Sequence, residues 1–339
     1  MRSSLLGCWL LAWFGAACAP APAQAACDGA DSVPWQAVAP GIWVWPGANQ
    51  EISPANGGHV VPTSLVVDGG EAAVIDPGPS LLHGERVRRS VACRFGARVR
   101  WVLNTHAHAE NVLANAAFAD VLADKNFAIV ATPATQAAMK ERCPNCLASL
   151  TARAGDQAMA GTRIVWPTQT LAPGDVLGVG ALRLQVLPIE QGHTEGDLVL
   201  WHAPTRTVWA GGLAYFGRVP ELSQGGVDGW LAALDRLDAL APRHVIATVV
   251  SSAPSAAERP PALVATRAYL QGLRDGVLRA MDQGEQPQAQ GQVSLPGFAA
   301  WAGYAERHAF NVQRAWREME PVWMDQGSAA KPSAEHVGR

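Results

Sequence analysis

From about residue 40 to residue 250 the chain alternates short apolar runs with polar turns, and beyond that it changes to longer amphipathic stretches. Gly41-Ile42-Trp43-Val44-Trp45 is one such run. Thr63 to Asp68 passes through Gly69-Gly70 into Ala72 to Ile75, a pattern that predicts a β-hairpin ending at Asp76-Pro77-Gly78. The spacing then predicts a helix over Leu81 to Val91, a buried strand over Val99 to Leu103 and a short helix capped by Asn111 and running through Phe118. A strand at Ala128 to Ala131 and a helix from Pro133 to Arg142 follow. The second half has the same rhythm. Leu182 to Leu187 alternates, Asp197 to Trp201 is apolar, and Thr207 to Ala210 leads to Gly211-Gly212. Trp230, Leu231, Leu234 and Leu237 share one helical face, and Val245 to Val250 reads as the last strand. From Pro260 onward the pattern is helical, over Leu263 to Met281 and Trp301 to Trp316, with a small polar tail after Gly327. Two strand-rich halves with outer helices predict two sheets packed face to face beneath helices.

With 49% apolar and 16% charged residues, the 339-residue chain can fill a sizeable core. Its 26 basic and 29 acidic residues give a net charge of −3 with no Lys/Arg block, which argues against a nucleic-acid partner. The N-terminus changes the picture more. Met1-Arg2, the apolar run Leu5 to Ala17 and Ala23-Gln24-Ala25 predict a signal peptide over residues 1–25. That run is too short to span a bilayer comfortably, so the mature chain is expected in the periplasm or secreted, without a transmembrane segment. Gly15-Ala16-Ala17-Cys18 is a poor lipobox, which makes lipid anchoring at Cys18 the minor alternative. The expected layout is a main domain over 34–255, a helical extension over 256–326 and a flexible tail over 327–339. Loss of the leader leaves Cys27, Cys93, Cys143 and Cys146, an even set that favours disulfides in an oxidising compartment. Cys143-Pro144-Asn145-Cys146 reads as a local disulfide at a helix end, with a redox pair as the other reading.

Two phrases carry the chemistry: Asn104-Thr105-His106-Ala107-His108-Ala109-Glu110-Asn111, and Gln191-Gly192-His193-Thr194-Glu195-Gly196-Asp197. Each follows an apolar strand. His106, His108 and His193 could close on one ion, and three imidazoles plus water make an open, catalytic zinc site. The bland alternative is three loop histidines satisfied by backbone groups. Glu110 could orient water, act as base, or face solvent. Asp197 could hold a ligand ring through its second nitrogen or cap the following turn, and Asp76 could support the site or form a turn. His59, His83, His202, His244 and His308 read as packing or surface histidines, and the 13 tryptophans as core.

On Asp76-Pro77-Gly78, the phrase from Asn104 to Asn111, and Asn115-Ala116-Ala117-Phe118, the chain resembles the metallo-β-lactamase superfamily over roughly Pro40 to Pro254. The resemblance implies an α+β four-layer αββα sandwich with metals at one edge, here with a C-terminal helical extension. Within the superfamily the chain is most similar to exported, quinoprotein-associated zinc metallohydrolases. The residues carrying that likeness are the leader, Pro40-Gly41-Ile42-Trp43, Trp209-Ala210-Gly211, Gly229-Trp230-Leu231 and His308-Ala309-Phe310-Asn311-Val312. The family phrase is His-x-His-x-Asp-His. His106, His108 and His193 match ligands, whereas Glu110 stands for the aspartate and Asn111 for the last histidine. Gly212 replaces the bridging aspartate, and no histidine follows the strand at Val245-Ile246. The resemblance therefore implies one zinc, a degenerate second site, and an exported mononuclear hydrolase of unknown small-molecule substrate. The alternative is a catalytically inactive binding or accessory protein beside a periplasmic quinoprotein dehydrogenase system. The C-terminal helices are expected to cover the site mouth or to form a homodimer face.

Overall fold

The computed structural model describes residues 32–187, 191–285 and 293–329, with no side-chain description for 326–329. The predicted leader, Cys18 and Cys27 lie outside these residues. One sheet runs in chain order through β1 (Gln36–Ala39), β2 (Ile42–Trp45), β3 (Thr63–Asp68), β4 (Glu71–Ile75), β5 (Arg98–Leu103), β6 (Ala128–Ala131) and β7 (Gln169–Thr170). The second holds β8 (Val176–Val179), β9 (Leu182–Leu187), β10 (Val199–His202), β11 (Thr207–Trp209), β12 (His244–Ile246) and β13 (Val250–Ser252). Helix α1 (Leu81–Phe95) joins the parallel pair β4 and β5. Between β5 and β6 lie α2 (Ala109–Val112) and a 3₁₀ segment over Leu113–Val121; between β6 and β7 lie α3 (Pro133–Ala154) and α4 (Asp156–Met159). Helix α5 (Val227–Ala239) joins β11 to β12, and α6 (Pro261–Asp282) and α7 (Tyr304–Ala329) end the described chain.

Burial follows the alternation that the sequence shows. Ile42, Val66, Ile75, Leu103 and Val130 from the first sheet meet Leu184, Val186, Leu200, Trp209 and Ile246 from the second. The opposite face of the first sheet, with Leu65, Val74 and Val102, packs under Val87 and Val91 of α1. The outer face of the second packs Val208 and Val245 against Trp230, Leu234 and Leu237 of α5 and against Leu270, Leu273 and Val312 of α6 and α7. The result is an αββα sandwich with helices α6 and α7 added to one outer layer. The Trp209 indole donates to Ser64 Oγ at 2.7 Å, tying the two sheets together in their shared core.

Three local expectations are corrected. Val245 to Val250 is not one strand: Ala247 N–H donates to the Val249 carbonyl, and β13 turns back to pair with β12. Helix α3 does not stop at Arg142 but continues to Ala154, carrying Pro144 in its interior. Asn111 is not a helix cap; α2 already begins after His108, and Asn111 lies inside it.

Candidate metal centre

Strand β5 delivers the first two histidines. Beyond Leu103 the loop is pinned by reciprocal amide bonds between Asn104 and Asn115, at 3.0 and 2.8 Å. The Thr105 carbonyl accepts from the Leu198 N–H at 2.7 Å, which draws the 191–198 loop against it. That contact joins the two sequence phrases, 85 residues apart at His108 and His193. His106, His108 and His193 each aim one ring nitrogen inward, and all three nitrogens lie within 4.8 Å of one another. Among the described residues this is the one group of His, Cys, Asp or Glu placed to hold an ion.

The other ring nitrogens show why these atoms are free to ligate. His193 Nδ1 donates to the Glu221 carbonyl at 3.0 Å, leaving Nε2 with its lone pair toward the site. His106 Nδ1 lies 2.8 Å from Thr105 Oγ1, whose hydroxyl donates to Asp76 Oδ2 at 2.7 Å. The hydroxyl has a single proton, so it accepts from His106 Nδ1–H and frees Nε2. Such outer partners fix ring orientation and raise ligand basicity. His193 Nε2 and His108 Nδ1 stand 3.3 Å apart. Two nitrogens held about 2.0–2.1 Å from zinc at a tetrahedral angle stand about 3.3 Å apart, so this edge fits the ion.

Asp76 combines both roles considered for it. Its φ of 51° places it in the left-handed region at the end of β4. Its carboxylate also accepts from Thr105 N–H at 2.9 Å, and Asn111 donates to it as well. Asn111 Oδ1 is buried and has no partner among the described residues. Asp197, by contrast, does not orient a ligand ring. It accepts from Thr194 N–H and Oγ1–H, the latter at 2.7 Å, and so caps its own loop. Glu110 lies in the first turn of α2 and lines the cavity in front of His108.

Gly212 and the turn after β12 make close contacts of their own. A Cβ added to Gly212 would lie 2.0 Å from His193 Cδ2, so the His193 ring occupies the space that a side chain there would need. In the turn after β12, Thr248 Oγ1 donates to the Ala214 carbonyl at 2.7 Å. The local disulfide is also corrected: Cys143 and Cys146 are free thiols, while Cys93 on α1 is disulfide-bonded. Of the remaining histidines, His83 stacks on Trp45 at 4.2 Å and His308 stacks on Tyr304 at 4.4 Å, both as packing residues.

A cavity of about 370 Å³ opens in front of His108. Besides His108 and Glu110 it is lined by Tyr215, Glu221, Arg142, Arg153, Arg218 and Arg307. Arg307 reaches in from α7 and pairs with Glu221 and with Glu51, the latter at 2.7 Å, so the C-terminal helices do close one side of the mouth. Arg218 is 7% exposed. The Nε atoms of Arg218 and Arg142 are buried without a partner among the described residues. No local motif marks Tyr215, Glu221 or these arginines; they come from separate segments that only the fold unites.

Burial and the neighbouring His108 hold His193 down at about 3, and burial drives His106 well below the ordinary histidine range. Burial pushes Asp76 and Asp197 up to about 6. Burial also works to raise Glu221, but His108 and Arg307 hold it at about 2. In the metal-free chain the unfolded state binds a proton at His193 below pH 6.5 that the folded state refuses until about pH 3. Stability from this group is therefore present above 6.5 and lost as pH falls toward 3. Asp76 and Asp197 act with the opposite sign, losing stability as pH rises from 3.8 through about 6. His193→Asn is expected to flatten the acid-side loss between pH 6.5 and about 3, measured by urea unfolding in chelator. An unchanged slope would remove His193 as its source.

The sequence profile described as "Metallo-beta-lactamase superfamily" matches residues 56–248, more than half of the chain. Among solved structures, the fold is similar to a metallo-β-lactamase from Pontibacter korlensis, with TM-score 0.54 at 17% identity, covering 71% of this chain and 99% of that one. It is also similar to a metallo-β-lactamase from Hirschia baltica, with TM-score 0.51 at 13% identity over 70% and 96% of the two chains. At such identities the likeness is one of fold. The hydroxyacylglutathione hydrolase of Anaeromyxobacter dehalogenans is 30% identical over 154 residues, which are 44% of this chain and 47% of that protein. The chain thus spans about half the length of the curated relative it matches.

Proposed function

The chain belongs to the metallo-β-lactamase superfamily, and we propose that it is a mononuclear zinc hydrolase acting on an acylated, anionic small molecule. The observation that carries this reading is the three-histidine cluster, whose His108 faces a cavity lined by arginines. His106, His108 and His193 would hold the zinc, which when bound would supply Lewis acidity and activate water. Glu110, in the same cavity, is the carboxylate that would take a proton from the attacking water. Burial keeps the Tyr215 phenol protonated, so it is available as a donor toward charge developing on an acyl oxygen. Among the described residues, Arg142, Arg153 and Arg218 form no ion pair with a carboxylate, and they supply sites for the anionic part of the substrate. The relative named hydroxyacylglutathione hydrolase supports an S-acyl derivative of an anionic thiol as the first substrate class to screen. We further propose that the protein works after export, a reading supported by the leader pattern and by the disulfide at Cys93. Association with a periplasmic quinoprotein dehydrogenase system rests on the sequence resemblance alone.

Glu110→Gln keeps the size of the side chain and removes the base. Against a panel of thioesters of anionic thiols, it is expected to lower kcat by about 100-fold or more with KM nearly unchanged. Zinc content should be retained. Turnover by the wild type that is matched by Glu110→Gln would remove Glu110 from the mechanism. No turnover on any acyl substrate by zinc-loaded protein would favour the non-catalytic binding reading.

A further inference from the structure

Helix α3 presents one polar face to the cavity, made of Arg142, Asn145, Cys146, Ser149 and Arg153. These positions recur at helical spacing, so one stripe of the helix forms a wall of the chamber. Cys146 stands in the middle of that stripe, about 6 Å along the axis from Arg142 and about 10 Å from Arg153. Cys143, three residues earlier, is fully buried in a small apolar cluster with Ala107, Val112 and Met139, against whose edge Cys146 also packs. The pair thus has one accessible sulfur and one sheltered sulfur on adjacent turns.

We propose that Cys143 and Cys146 form a thiol–disulfide exchange site that takes small anionic disulfides from the same chamber as the metal centre. The Cys146 thiolate attacks one sulfur of the bound disulfide. Its S–S bond breaks, one thiolate leaves and takes a proton from solvent, and Cys146 becomes a mixed disulfide. Cys143 then gives up its proton and attacks the Cys146 sulfur, releasing the second thiolate. The two cysteines end as a disulfide, having lost two electrons and two protons, and the bound disulfide ends as two thiols. The Cys143 thiol donates to the Cys146 sulfur, which lowers the Cys146 thiol and raises that of Cys143, in keeping with Cys146 as the attacking atom.

One feature, Pro144, makes the second step feasible within a helix. Residues three apart on a helix have Cβ atoms about 5–6 Å apart, whereas a disulfide needs about 3.5–4.5 Å. The turn must therefore tighten locally, and Pro144 between the cysteines has already removed one N–H from its ladder. Selectivity for an anion comes from Arg142 and Arg153 flanking the accessible sulfur. The proposal is independent of the hydrolase reading, since exchange uses no metal.

The test uses the full mature chain, zinc-loaded and chelator-treated, incubated with oxidised glutathione or with neutral 2-hydroxyethyl disulfide, followed by peptide mass spectrometry. Wild type is expected to lose two hydrogens from the peptide containing Cys143 and Cys146. Cys143→Ala should instead hold a stable mixed disulfide on Cys146, and Cys146→Ala should hold none. The anionic disulfide should react about tenfold faster than the neutral one in wild type, and Arg153→Gln should narrow that gap. A cysteine pair that reacts no faster than a free peptide of the same sequence would overturn the proposal, as would equal capture by Cys146→Ala. Equal rates for the two disulfides would overturn its anionic selectivity. Circular dichroism of each variant separates loss of reaction from loss of fold.

Discussion

Zinc is expected to bind the metal-free chain at about one ion per molecule and to raise its melting temperature by about 10 °C. The size follows from mass action: at a thousandfold excess over Kd, a ligand of the native state adds about 4 kcal/mol. A domain of this order gains about 2–4 °C for each kcal/mol. His193→Ala is expected to abolish the shift and to leave the purified protein with little zinc, because it removes one of three nitrogens and leaves the Glu221 carbonyl without its ring donor. Scanning calorimetry with and without zinc, beside elemental analysis of protein purified without affinity metals, measures both quantities. A wild type that carries no zinc and gains no stability from it would end the metallohydrolase reading. Two ions per chain would end the mononuclear one.

Most of the core strands, though not their order in the sheets, were legible because each buried face is written locally. Leu182 to Leu187 alternates in sequence and is alternately buried in β9. Ala128 to Ala131, wholly apolar, is buried on both faces in β6. The three histidines were legible for a related reason, since both phrases follow apolar strands whose ends must lie at the sheet edge. Pro144 misled because proline ordinarily ends a helix, yet α3 tolerates it and runs on another ten residues to Ala154. That continuation places Cys146 and Arg153 in the cavity wall, so a local error hid part of the site. The turn inside Val245 to Val250 was invisible because its β-branched residues favour strand on either side of it. Asp197 could not be assigned between ring partner and loop cap, since the choice depends on Glu221, which reaches His193 from a separate loop. Arg307, from a helix more than 80 residues beyond Glu221, has no signal in the sequence at all.

Gly212→Asp puts an acidic side chain against the three-histidine cluster, and it is expected to destroy that site rather than add a second. In sequence the change restores the acidic residue of the family phrase. In the structure, the new Cβ would lie 2.0 Å from His193 Cδ2 and 2.7 Å from Nε2, distances at which the ring cannot stay. His193 is 1% exposed and backed by Trp230 at 5.1 Å between ring centroids, so it cannot simply retreat. Displacing it breaks the bond to Glu221 and removes a ligand nitrogen. Overpacking of this kind costs about 1–3 kcal/mol, before the cost of burying a new carboxylate. Zinc affinity should fall by about 100-fold or more, beyond the 10–100-fold typical when an outer partner is lost. Gly212→Ala separates shape from charge: its methyl group meets the same ring atoms, so it should also lose zinc. If Gly212→Asp instead binds two zinc ions per chain by elemental analysis, the His193 ring has room to move and glycine at 212 is a removable block. Loss of zinc in both variants would mean that the His193 ring needs the volume beside Gly212, so that any side chain there costs the site a ligand.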